Sequence, residues 1–122
     1  MDGEGSVLLT KHNKSSRFRY PAVSMSSTTE EFIDFMVDNH GGYKCNHKIY
    51  KSHHKPSWTW ELIYDKAINF LTYISPFLLD PIKKARADHI LTNYKKVTVR
   101  NGKYTENQLK EKLKFEEDFF LL

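Results

Sequence analysis

Residues 57–91 read SWTWELIYDKAINFLTYISPFLLDPIKKARADHIL, and the hydrophobic period changes in the middle of the stretch. Trp58, Trp60, Leu62 and Tyr64 recur at every second position, which predicts a strand with one apolar face. From Asp65 onward the spacing becomes Ala67, Phe70, Leu71, Ile74, the stripe of an amphipathic helix, with Asp65 placed to cap it. Pro76 ends that helix. Asp80-Pro81 opens another, with the carboxylate at the N-cap and proline at the first helical position, and it runs through IKKARADHILTNYKK. Trp58 and Trp60 could stack on bases, but they share a face with Leu62 and Tyr64, so core packing is the expected role.

Upstream, YKCNHKIYK (43–51) alternates. Lys44, Asn46, Lys48 and Tyr50 point one way, and Tyr43, Cys45, His47 and Ile49 the other. With SHHKP (52–56) as the turn, this is a hairpin onto the Trp strand. An earlier hairpin is predicted from SVLLTKHNK (6–14) and RFRYPAVSMS (17–26) around Ser15-Ser16, with Pro21 expected at an edge or bulge. Between the hairpins, Thr28 and Glu31 form a capping-box pattern, Phe32, Phe35 and Met36 share a helix face, and Gly41-Gly42 stops the helix. After a short extended piece around Asn101-Gly102, Thr105 and Gln108 open a last helix carrying Leu109, Leu113, Phe115, Phe119 and Phe120. The order ββαββαα plus the terminal helix predicts an α+β domain. It would have one four-stranded antiparallel sheet. Residues 1–100 form the domain, and 101–122 a helix that docks on it or on a partner.

Charge is segregated rather than mixed. Stretches 11–19 and 44–55 carry Lys11, Lys14, Arg17, Arg19, Lys44, Lys48, Lys51 and Lys55 without an acid among them. Residues 105–122 hold Glu106, Glu111, Glu116, Glu117 and Asp118. With a formal net charge of +4, this pattern suggests one surface built for a polyanion. No apolar run is long enough to span a membrane, and no secretory leader opens the chain, so no membrane partner is expected. A lone cysteine, Cys45, cannot form an internal disulfide and reads as a strand residue in an intracellular, non-secreted protein. His47, His53 and His54 near Cys45 do not match zinc-finger spacing, and no Gly-rich phosphate loop, G-x-S-x-G or H-E-x-x-H is present.

The chain begins MDGEGSV (1–7). This acidic-glycine turn, followed by the element order above and by residues 58–91, resembles the LAGLIDADG homing endonucleases. MDGEGSV matches the tail of the family motif, and the helix that carries the rest of the motif is missing from the sequence. The "KA..FL..I.PFL" helix and the Lys-Ala segment after it have counterparts in the family's last strand and helix pair. The resemblance implies a saddle-shaped antiparallel sheet with the helices on one face and the other face lying in the major groove of double-stranded DNA. Its implied contacts are Lys11, Asn13, Arg17, Arg19, Lys44, Asn46 and Lys48, with His53, His54 and Lys55 at a hairpin tip. It also implies that Glu4 binds Mg²⁺ at the scissile phosphate, a role that suits a hard carboxylate oxygen. The family often places a water-activating lysine where Pro81 stands here, and Lys83 is the candidate two residues later. A single-motif chain implies a homodimer, with dimerisation through a surface such as the apolar C-terminal end. Two alternatives keep part of this picture: a cleavage-inactive regulator or maturase-like module binding DNA or structured RNA, and a partner-binding protein reusing the fold.

Overall fold

The computed structural model describes residues 5–11, 13, 18–46, 57–99 and 103–122, with only the backbone of Asn46. In chain order these form β1 (Gly5–Thr10), β2 (Tyr20–Ser27), α1 (Glu30–His40), β3 (Tyr43–Asn46), β4 (Trp58–Ile63), α2 (Tyr64–Ile74), a 3-10 turn (Ser75–Phe77), α3 (Pro81–Val97) and α4 (Glu106–Phe120). The four strands make one sheet in the order β1-β2-β4-β3, with every neighbouring pair antiparallel. The α+β class and both hairpins follow the sequence expectation.

Strand register decides which residues face the helices. Val7 opposes Val23, which opposes Leu62, and Met25 opposes Trp60. Directly opposed residues share a face. Val7, Leu9, Val23, Met25, Trp60 and Leu62 are therefore on one side, and all are buried. They join one core with Ile33 and Met36 of α1, Ala67, Ile68 and Leu71 of α2, Ala87 and Ile90 of α3, and Phe115 and Phe119 of α4. Each fully buried aliphatic side chain of this kind contributes about 1.5–3 kcal/mol. Pro21 sits in an inner strand, yet it is matched only by Leu9 of β1, because pairing with β4 begins at Ala22. Locally it is an edge residue, where a missing N–H leaves no ladder bond unmade.

The sequence expectation and the structure differ at several element boundaries. Thr29, not Thr28, is the N-cap of α1 and makes no side-chain cap bond; its own N–H is taken by Ser27 Oγ at 3.0 Å. The stripe of α1 is Ile33 and Met36, whereas Phe32 and Phe35 are exposed. Asp65 lies in the first turn of α2 rather than at its cap, which is Ile63. Tyr64 does not continue the strand face of Trp60 and Leu62. It begins the helix with φ +53°, a left-handed conformation rare for a bulky residue. Other boundaries fall where expected. The Asp80 side chain accepts from the backbone N–H groups of Ile82 and Lys83, with Pro81 at the start of α3. Thr105 and Gln108 form a complete capping box on α4. The expected Asn101-Gly102 turn lies outside the described residues.

Candidate nucleic-acid interface

With all four helices contributing to one core, the opposite face of the sheet is left open. The register places Ser6, Leu8 and Thr10 of β1 there, with Tyr20, Ala22, Ser24 and Ser26 of β2, Thr59, Glu61 and Ile63 of β4, and Tyr43 and Cys45 of β3. Two cross-strand rows stand out. Tyr43, Glu61, Ser24 and Ser6 oppose one another across all four strands, and Cys45, Thr59 and Ser26 form the next row. In that second row the Ser26 and Thr59 hydroxyls are 2.9 Å apart and hydrogen-bonded. The face therefore carries the short hydroxyls of Ser6, Thr10, Ser24, Ser26 and Thr59, each able both to donate and to accept, among apolar neighbours of which Ala22 is fully buried. Among the described residues, Glu61 is its only charged side chain.

The predicted contact residues divide sharply. Lys44 opposes Trp60, which puts it on the helix side of the sheet. Its ammonium donates to Asp34 at 2.8 Å and lies 3.9 Å from Glu30. The Asp34 hydrogen bond raises its pKa above the ordinary lysine value. Arg19 also turns to the helix side: its Nη1 donates to the Leu9 carbonyl, Nε is 3.9 Å from Glu116, and the guanidinium covers the Phe120 ring at 4.7 Å. Both cations are engaged in holding helices to the sheet. Lys11 follows β1 and is half-buried, and Asn13 is exposed. Lys83 is in the first turn of α3, which packs on β1, α2 and α4, and its backbone N–H donates to Asp80. The backbone of Asn46 pairs with Trp58 at the edge of the sheet. Glu4, Arg17, Lys48, His53, His54 and Lys55 lie outside the described residues. Arg19 and Lys44 are thus both turned to the helix side of the sheet, each beside an acid of a helix, Glu116 for Arg19 and Asp34 for Lys44. Among the described residues no three His, Cys, Asp or Glu side chains come together in a way that could hold a metal ion.

What the periodicity left unassigned is one end of the open face. There β4 runs into α2, and three tyrosines meet. Tyr20 and Tyr64 stack with ring centroids 4.7 Å apart and planes inclined by 24°. Tyr43 stands on the neighbouring edge strand and is exposed. Burial raises the pKa of the Tyr20 phenol, with Glu61, Tyr64 and Tyr43 adding to the shift. Gly41 and Gly42 lead into β3 with φ +77° and +94°, and the Trp60 indole donates to the Gly41 carbonyl at 2.8 Å, fixing this turn against the core. A cleft of about 410 Å³ opens here, lined by Gly42, Tyr43, Ile63, Tyr64, Asp65 and Lys66. The signal for the open face was in the sequence: once Trp60 and Leu62 are assigned to the core, Thr59, Glu61 and Ile63 must face away.

Comparisons with known proteins bear on the fold alone. No family model matches the chain, and no curated protein is similar to it. Among solved structures, the archaeal intron-encoded homing endonuclease I-Vdi141I complexed with DNA matches with a TM-score of 0.56 and 16% identity. The match covers 97% of this chain and 76% of that one. The two proteins share a homing-endonuclease-like architecture. No helix among the described residues is long and apolar enough to cross a membrane.

Proposed function

We propose that this chain binds duplex DNA through the open face of its sheet. The observation that carries this reading is the one-sided packing: the helices bury Val7, Leu9, Val23, Met25, Trp60 and Leu62 of β1, β2 and β4 and leave the other parity, with Ser6, Thr10, Ser24, Ser26 and Thr59, largely uncovered. I-Vdi141I, which shares this architecture, was solved complexed with DNA. Short hydroxyls suit both phosphate oxygens and base edges. The strands themselves bring no described cation to this face, so affinity has to come from the chain segments that join them. The connection between β3 and β4 carries Lys48, Lys51 and Lys55 with His47, His53 and His54, and the connection between β1 and β2 carries Lys11, Lys14 and Arg17. The described strand ends put these two connections at opposite ends of the sheet, where they could flank a duplex lying along it.

Fluorescence anisotropy with a labelled duplex of about 30 base pairs tests this. Binding is expected to weaken steeply with salt. Replacing Lys48, Lys51 and Lys55 with Ala is expected to lower affinity and reduce the salt slope by about 2–3, near the 0.9 expected per phosphate contact. Lys44→Ala, at a cation already paired with Asp34, is expected to leave both unchanged. Salt-independent binding, or equal slopes for the triple variant and the parent, would overturn the reading. A structured RNA competitor separates DNA from RNA as the preferred partner, and the stoichiometry on the duplex tests the homodimer. Cleavage is a separate step. The described residues offer no ligand set for Mg²⁺, and the metal role rests on Glu4 outside them. If the duplex is cut in Mg²⁺, Glu4→Gln is expected to stop the cut and leave binding intact, and Lys83→Ala tests whether that lysine takes part.

A further inference from the structure

The β4–α2 junction holds a residue that the fold itself disfavours. Tyr64 takes φ +53°, where glycine or asparagine would pass without strain. Such a backbone is strained in a bulky residue, persists only where the surrounding structure over-determines it, and is concentrated at binding and active sites. The core does not need this one, since the Tyr64 residue is 41% exposed and outside the core cluster. What the strained backbone does is set the ring beside Tyr20, at the mouth of the 410 Å³ cleft. The cleft's other aromatic wall, Tyr43, is 55% exposed. Ile63 lies between them, and Gly42 brings backbone rather than a side chain to the edge. Asp65 and Lys66 add one carboxylate and one ammonium to the same rim.

We propose that this cleft receives a single unpaired nucleobase, packed against Tyr64 and Tyr43. The ring planes supply stacking, which any base can use. The Asp65 carboxylate can accept from an exocyclic amino group, so adenine, guanine and cytosine suit it better than thymine. Lys66 suits the phosphate next to that base. The cleft is continuous with the open face through Tyr43 and Ile63, so a duplex lying along the sheet would present an extruded or bulged base at this end. The proposal rests on the binding reading above and names the feature of the nucleic acid that this end would select.

The probes are a fully paired duplex, the same duplex with one bulged adenine, and adenosine 5′-monophosphate followed by NMR at the tyrosine rings. The parent protein is expected to bind the bulged duplex about tenfold more tightly than the paired one. Tyr64→Phe, which keeps the ring, should keep that preference. Tyr64→Gly, which suits the positive φ, should fold and lose it while paired-duplex affinity stays the same. Salt-dependent binding of the paired duplex with no preference for the bulge would overturn the cleft proposal and leave the general reading standing, as would a preference that survives Tyr64→Gly. Failure of both duplexes to bind, with Tyr64 and Tyr43 signals still shifted by the mononucleotide, would overturn the duplex reading and support the cleft as a nucleobase site. No binding and no shift would overturn both.

Discussion

Gly42 shows how one residue limits the sequence at this site. Its φ is +94°, and a β-carbon built there would lie 2.4 Å from the Glu61 carbonyl oxygen and 2.8 Å from Leu62 Cδ2. The obstacle is backbone of the central strand β4 and cannot rotate away. Adding the left-handed penalty to the overpacking gives a cost of about 2–5 kcal/mol for Gly42→Ala. Thermal unfolding is expected to show a melting point lower by at least about 10 °C. Gly41 also has positive φ, but its hypothetical β-carbon meets only the flexible end of Lys66 at 3.4 Å. Lys112 illustrates the electrostatic side. It is buried on α4, donates to Thr98 Oγ1 at 2.8 Å, and its ammonium lies 4.4 Å from the Tyr94 ring centroid. Burial lowers its pKa, against a smaller opposing pull from Glu116. The unfolded chain then holds the lysine proton at pH values where the folded chain has released it, so stability rises with pH between the lowered value and the ordinary lysine value. Unfolding followed from pH 8 upward should show that rise in the parent, and Lys112→Met should flatten it. At this scale the sequence was only partly legible. The Gly41-Gly42 stop was readable from composition. The burial of Lys112 was not, because a lysine near the middle of a polar helix looks like a solvated one until Phe18, Tyr94 and Phe115 close around it.

Elements were legible where a local rule acts alone and illegible where tertiary contacts choose among local options. The α4 start belongs to the first class. Thr105 Oγ1 accepts from the Gln108 N–H at 3.2 Å, and Gln108 Oε1 accepts from the Thr105 N–H at 2.9 Å. Both bonds are made within four residues, so the sequence suffices to predict them. Thr105→Ala is expected to cost about 1 kcal/mol. Because α4 brings Phe115 and Phe119 into the core, that loss should register in global unfolding rather than only as fraying of the helix; urea midpoints for the two proteins would measure it. The α1 start belongs to the second class. The capping-box pattern favoured Thr28, but the helix begins one residue later, with Thr29 at its N-cap, and the core takes Ile33 and Met36 rather than Phe32 and Phe35. The strand parity of β3 is a third case. The alternation of Lys44 and Asn46 with Tyr43 and Cys45 was evident, but which set faces the helices depends on pairing with Trp60. That pairing brings Lys44 to Asp34 and Glu30, so a cation that composition assigned to a ligand surface serves as a link between an edge strand and α1.

For the molecule as a whole, segregated charge in a sequence need not stay segregated in the fold. The basic stretch 11–19 and the acidic stretch 105–122 meet through Arg19 and Glu116, and part of the apparent polyanion surface is consumed internally. Among the described residues the sheet face left over is neutral apart from Glu61, which sits mid-row between Tyr43 and Ser24. This gives the binding reading a test of definite sign. If DNA lies on this face, a phosphate about 6 Å from the Glu61 carboxylate is repelled by about 0.7 kcal/mol even at the dielectric of water. Glu61→Gln should therefore tighten duplex binding about threefold at low salt, with the gain shrinking as added salt screens the charge. The same substitution leaves affinity unchanged if the duplex lies on the helix side, where Lys44, Asp34 and Glu30 are exposed to it and Glu61 is not. Anisotropy titrations of Glu61→Gln and Lys44→Ala at two salt concentrations distinguish the two faces, because each variant changes the charge of one side of the sheet alone.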